Sequence, residues 1–505
     1  MELTDLAAQW GIEAGYLDIQ GRRRDADPET LRRIVEALSA AGSRPAAAEP
    51  HSRQPEPAWQ GDGRRCWLLA VQLYGVRSRR NWGHGDFSDL AVLLGIVADL
   101  GGAGIGLNPL HAQFYDNSAC SGSPYSPNSR QFLNPLYIDV EAVEEFDRAE
   151  AASLAGDIGR LRDTDLVDYP AVAALKLRAL RAVYRKFCSS GSAARRADFA
   201  AYRGERGRAL QCFAAFETLR QKHSGAWREW PEEWRTPTDD ALRRFRESHP
   251  DELAFHEFLQ WNAERQLDRC RAVARARGLS IGLCLDTAIG VDGGGADAWM
   301  EQDIMLRGLS VGAPPDQFNP AGQDWGLTAY NPHGLVASNF EPFRQMLRAA
   351  MRHAGAVRID HVLGLTRLYV IPQGLSASQG AYLRLPFSDM LAVVAEESRR
   401  WNCITIGEDL GTVPEGFRST LAAWGVWSYL VVMFERNPDG SFRRPEDYPE
   451  RAIATFNTHD LPTFAGWMSS HDLRVKRGID VDPGETDDDR HNSRVTLCAA
   501  LAAAT

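Results

Sequence analysis

Residues 355–361 read GAVRIDH, an apolar run that ends in an arginine, a carboxylate and a histidine. The pattern recurs along the chain. WLLAVQLY (67–74), GAGIGLNPLH (102–111), LSIGLCLD (279–286), ITIGED (404–409), WSYLVVMFE (427–435) and ATFNTHD (454–460) are further short apolar runs, most of them closing on a polar or ring-bearing residue. Strands that are apolar almost throughout are buried on both faces, as in a parallel sheet. Between several of them stand helix-length amphipathic segments such as PFRQMLRAAMRH (342–353) and SDMLAVVAEESRRW (388–401). Strand alternating with helix predicts an α/β fold. Polar residues gathered at the strand ends favour a (β/α)8 TIM-type barrel over an open doubly wound sheet, because a barrel collects its functional side chains on that face.

Outward from this core, residues 113–260 form a long Arg- and Trp-rich stretch that reads as a mostly helical insertion after the second strand. Residues 1–60 read as a small helical unit plus a linker, with the barrel over 61–505. In DPETLRRIVEALSAAG, Asp27 can cap, Pro28 suits the first helical position, and Leu31, Ile34, Val35 and Leu38 make one apolar stripe. Gly42 is the expected stop, and the prolines of residues 44–57 predict a linker.

Composition bounds the partners. The 505 residues carry 57 basic and 67 acidic side chains, a net charge of −10, which argues against nucleic acid or an anionic membrane as a partner. No apolar run is long enough to span a bilayer, and the N-terminus lacks the pattern of a signal peptide. Eight cysteines without a CxxC pair predict reduced thiols in the cytoplasm. Nothing in the sequence speaks to oligomeric state. GGAGIGL (101–107) has Leu107 where a dinucleotide fingerprint needs its third glycine, and DGGGADAW (292–299) lacks the Lys-Ser/Thr of a phosphate loop and reads as a turn before a helix.

Three strand ends carry carboxylates: Asp360, Glu408 and Asp460. Arg358, two residues before Asp360, shares its face of the strand, and a guanidinium there favours the ionised carboxylate. Glu408 adjoins Asp409, so only one of the two faces inward; Asp409 is assigned to a structural ion pair. Two carboxyls in one pocket can divide the work of breaking a glycosidic bond, one ionised and one protonated. The alternative is an ion-pair network that rims the barrel. No metal-ligand spacing accompanies these residues, and neither metal nor cofactor is expected.

RSRRNWGHGDF (77–87), SPYSPNSRQFLNPLYIDV (123–140), SVGAPPDQFNPAGQDWG (310–326), MRHAGAVRIDHVLGL (351–365), IGEDLGTVPEGF (406–417) and FNTHDLPT (456–463) resemble, in order, the amylomaltase or disproportionating-enzyme family of 4-α-glucanotransferases, from about Trp67 to Trp467. The resemblance implies an α-1,4-glucan donor and a sugar acceptor. It makes Asp360 the nucleophile, Glu408 the general acid then base, and Asp460 a third carboxylate on the 2- and 3-hydroxyls of the distorted sugar. It makes Arg358 the residue that orients Asp360, His361 and His459 hydroxyl ligands, Tyr125 a stacking platform with Ser123 beside it, and Asp286 a further sugar-binding carboxylate. It lays the 310–327 loop over the cleft, with Gln323 and Trp325 near the acceptor. The sequence after Asp460 departs from the family pattern: no eighth strand or closing helix is legible, so the barrel is expected to lack both. A glucan hydrolase and a truncated, non-catalytic glucan-binding remnant stay open as rivals at this point.

Overall fold

The computed structural model describes residues 2–18, 21–40, 53–115, 122–316, 319–411 and 413–503. Gly42 and residues 44–52 of the expected linker lie outside them. All seven apolar runs form strands: β1 Leu68–Val71, β2 Gly104–Leu107, β3 Gly282–Thr287, β4 Ala356–Ile359, β5 Ile404–Gly407, β6 Trp427–Val431 and β7 Ala452–Thr455. They pair in parallel and in chain order, β1 next to β2 and so on to β7. This is the α/β barrel architecture with one side open. Among the described residues no strand joins β7 to β1, and Leu69 on β1 is exposed.

Side chains alternate across the sheet. Cys284, Ala356, Ile404 and Ile406 form one cluster with Leu68, Trp427, Tyr429 and Ile453, which is the barrel interior. Val357 and Ile359, of the other parity, join the larger core beneath the helices. The helix Glu341–Met351 shows why the covering works: Phe343, Met346, Leu347, Ala350 and Met351 are buried at helical spacing and close over the sheet.

Between β2 and β3 the chain inserts helices at Arg148–Arg162, Tyr169–Ser190, Ala193–Lys222 and Asp239–Ser248 before Pro250–Ala276 leads into β3. Asp292 to Gly295 turn into the short helix Ala296–Met300. No helix among the described residues is long and apolar enough to cross a membrane, and the described cysteines are unpaired.

One sequence reading needs correction. The 310–327 segment is chiefly a hairpin, not a loop. Leu309–Ala313 and Gln323–Thr328 pair antiparallel inside a five-stranded sheet built from the insertions after β3 and β4. Gly312 permits this, since a Cβ there would lie 1.9 Å from the Gln323 carbonyl oxygen. The Pro- and Gly-rich composition marks only the hairpin tip. The acidic run at 487–489 opens the helix Asp487–Ala503, where carboxylates complement the positive end of the helix dipole.

The N-terminal residues pack on the antiparallel sheet. Asp27 accepts a hydrogen bond from the Glu29 amide (2.8 Å) at the start of the helix Pro28–Ala40. Trp10, Ile12, Leu31, Ile34 and Leu38 share one buried cluster with Leu309, Val311, Val370 and Leu383. The segment therefore backs the sheet that carries Trp325.

Candidate active site

Register and parity build the site. Arg358 on β4 pairs with Asp286 on β3, and Ile359 pairs with Gly407 on β5, so Asp360 and Glu408 emerge side by side. Asp286, Arg358, Asp360 and Glu408 continue the inward parity of Cys284, Ala356 and Ile406, which makes them the top layer of the barrel interior. Asp409, of opposite parity, turns outward, is buried, and accepts from Arg418 Nε at 2.6 Å.

One guanidinium nitrogen ties three oxygens together. Arg358 Nη1 donates to Asp286 Oδ1 and Oδ2 at 2.9 Å each and to Asp360 Oδ1 at 2.8 Å. Burial pushes the Asp360 carboxyl up to about 6, with Arg358 the main opposing influence. The guanidinium thus favours the ionised form and limits the rise without reversing it. Burial likewise raises Asp286 and Glu408. Three carboxyls face one buried cation, and Asp360 has the direct ion pair that Glu408 lacks.

Glu408 is fixed by backbone. Its Oε2 accepts from the His361 amide and its Oε1 from the Leu410 amide, both at 2.8 Å. His361 stands in the left-handed region, φ 46°, which aims that amide at the carboxylate. Burial lowers the His361 imidazole, so it is neutral at pH 7. Trp325 lies edge-on to it, ring centroids 5.3 Å apart, with its indole N–H 3.3 Å from Gln323 Oε1.

Tyr125 closes the other side. Its hydroxyl donates to Asp286 Oδ2 at 2.7 Å and accepts from Asn108 Nδ2 at 3.2 Å, and burial holds the phenol protonated. The Ser123 hydroxyl accepts from the Tyr125 amide (3.3 Å). The His459 imidazole stacks on the Tyr125 ring at 3.6 Å between centroids, so one face of the expected platform is already covered. Asp460 is not brought into the cluster. It lies in the turn after β7 with its side chain 77% exposed, 3.3 Å from His459 Nε2.

Sequence reasoning missed two groups in contact with these residues. Asn108 directly follows β2, and a polar residue at a strand end was a usable signal. Tyr429, whose ring lies 4.9 Å from Arg358 Cζ, was hidden in an apolar run.

A parallel barrel sheet with carboxyls massed at its C-terminal edge is the arrangement that α/β-barrel enzymes use for their sites. The sequence matches the 4-alpha-glucanotransferase family over residues 71–504. A 4-alpha-glucanotransferase of Mycobacterium tuberculosis is 38% identical over 466 residues, covering 88% of this chain and 64% of that protein. One of Haemophilus influenzae is 37% identical over 469 residues, covering 88% and 67%. The crystal structure of amylomaltase from Corynebacterium glutamicum superposes with a TM-score of 0.84 at 26% identity, covering 99% of this chain and 86% of that one. The chain belongs to the 4-alpha-glucanotransferase family. It spans 64% of the length of the mycobacterial relatives it matches.

Proposed function

We propose that this chain transfers segments of α-1,4-glucan from a donor to the 4-hydroxyl of an acceptor sugar, by a retaining double displacement. The observation that carries the reading is the adjacency of Asp360 and Glu408 on register-paired strands. Neighbouring strands stand about 4.8 Å apart. Their carboxyls therefore start from a separation that suits the roughly 5–5.5 Å of retaining enzymes and not the wider gap of inverting ones. Asp360 attacks the anomeric carbon as the bond to the leaving oxygen breaks, and Glu408 gives that oxygen its proton. The acceptor hydroxyl then loses its proton to Glu408 and displaces Asp360 from the glucosyl ester. On this reading Asp286, His361 and His459 hold hydroxyls of the reacting sugar, with Asp460 at the rim. Tyr125 offers the face opposite His459, on the backbone turn that Ser123 braces.

The chemistry needs no cofactor and no nucleic-acid or membrane partner, and unpaired thiols among the described cysteines favour a cytoplasmic location. Incubation with maltotriose tests the whole reading. A ladder of longer and shorter maltooligosaccharides is the expected product. Glucose and maltose without elongation would make the protein a hydrolase, and glucan binding without turnover would make it a binding remnant.

Trp325 and Gln323 decide between transfer and hydrolysis on this reading, because an aromatic ring beside His361 can stack on the acceptor and keep water from the ester. Trp325→Ala should raise the hydrolysis-to-transfer ratio by up to about tenfold, the scale of one aromatic contact. An unchanged ratio with the variant still folded would confine Trp325 to packing on the antiparallel sheet.

A further inference from the structure

Arg358 is anchored unevenly. All three of its carboxylate bonds run through Nη1, while its Nε is buried with no hydrogen-bond partner. Bonds from a single nitrogen leave the guanidinium free to pivot about that atom. A pivot can turn the group toward Asp286 alone, which then takes the countercharge from Asp360. The contact that opposes this comes from two strands away. Tyr429 on β6 has inward parity, belongs to the barrel-interior cluster, and lies with its ring 4.9 Å from Arg358 Cζ. A guanidinium is attracted to an aromatic face, the more so where water is excluded.

We propose that Tyr429 is a positioning residue for the transfer reaction, its ring face fixing the plane of Arg358 so that one nitrogen serves Asp286 and Asp360 together. The inference rests on Asp360 being the nucleophile. The charged and titratable groups around Asp360 are Arg358 on its own strand, Asp286 on β3, Glu408 on β5, His361 in the following turn and Tyr125 from the first loop of the insertion. Arg358 is the one cation among them in direct contact with Asp360, so releasing it should raise the pH at which Asp360 ionises.

The test uses the full chain and 5-fluoro-α-glucosyl fluoride. Asp360 forms a bond to the anomeric carbon as the carbon–fluorine bond breaks, and fluoride departs without needing a proton. Mass spectrometry of the labelled peptide then follows Asp360 alone against pH. In the parent the rate should rise through a midpoint near 6. Tyr429→Met, which fills much of the volume without an aromatic face, should move that midpoint upward by roughly half a unit or more and lower kcat for maltotriose about tenfold, with KM little changed. Tyr429→Phe keeps the face and should restore the parent midpoint and most of the rate. A Met variant with a lower melting temperature but an unmoved midpoint would make Tyr429 simple packing and overturn the inference. So would a Phe variant whose midpoint already moves, a result that stands even if the Met variant fails to fold. Absence of label on Asp360 in the parent would overturn the nucleophile assignment, and the inference with it.

Discussion

Asp360→Asn should abolish transfer and raise the melting temperature at pH 7. The first effect follows from replacing the carboxylate proposed to attack by an amide of nearly the same shape, and the loss in kcat is expected at about 10⁴-fold or more. The second follows from linkage. Burial lifts the Asp360 carboxyl from 3.8 to about 6 in the folded protein, with its side chain 14% exposed. Holding it ionised above pH 6 therefore works against folding, by about 3 kcal/mol at most. The penalty fades as pH falls through 6 and is gone below the unfolded value. Thermal unfolding at pH 7 and pH 4 checks the sign: the variant should melt above the parent at pH 7, and the difference should close toward pH 4. A folded variant with parental turnover would remove Asp360 from the mechanism. A variant that melts lower at pH 7 would show Asp360 to be a structural ion pair with Arg358 and not a strained, functional one.

Glu408→Gln should separate the two halves of the proposed reaction. With a natural glucan the leaving oxygen needs a proton, and loss of the acid should cost about 10²–10⁴-fold. With a glucosyl fluoride the leaving group needs none, so glucosylation of Asp360 should proceed near the parental rate. The glucosyl-enzyme should then accumulate, because the acceptor has lost its base. Burial raises the Glu408 carboxyl, so the alkaline limb of the parental pH profile is assigned to it, and that limb should be absent from the fluoride reaction of the variant. The measurement is the mass of the Asp360 peptide over time with each donor. A variant no faster with the fluoride than with the glucan would show that Glu408 is not the acid.

The seven strands, the helix stripe of Phe343 to Met351 and the inward-outward choice between Glu408 and Asp409 were all legible in the sequence. Each is a matter of local periodicity, and burial enforces periodicity wherever a residue sits in a regular element. The carboxylates were legible for a related reason, since charged residues closing apolar runs contradict the pattern around them. The distances among them were not. Whether Asp360 and Glu408 meet depends on the pairing of Ile359 with Gly407, and whether Asp286 joins them depends on the pairing of Arg358 with Asp286 itself. Register is a property of two strands far apart in the chain. No spacing within one strand encodes it.

The hairpin at 309–328 was missed because its proline and glycine content describes the tip, while its strands are held by partners brought from 367–372 and 291–292. Tyr429 was missed because an aromatic residue in an apolar strand reads as core, and only the folded barrel puts Arg358 against its face. Asp460 was grouped with the other two carboxylates from its place after a strand, yet it lies past the end of β7 in a turn and faces solvent. Chemistry and side-chain parity are thus written residue by residue in the primary structure of this protein. Which of those groups touch, and how far burial outweighs Arg358 in setting the charge on Asp360, depend on long-range packing that removes water from all of them at once.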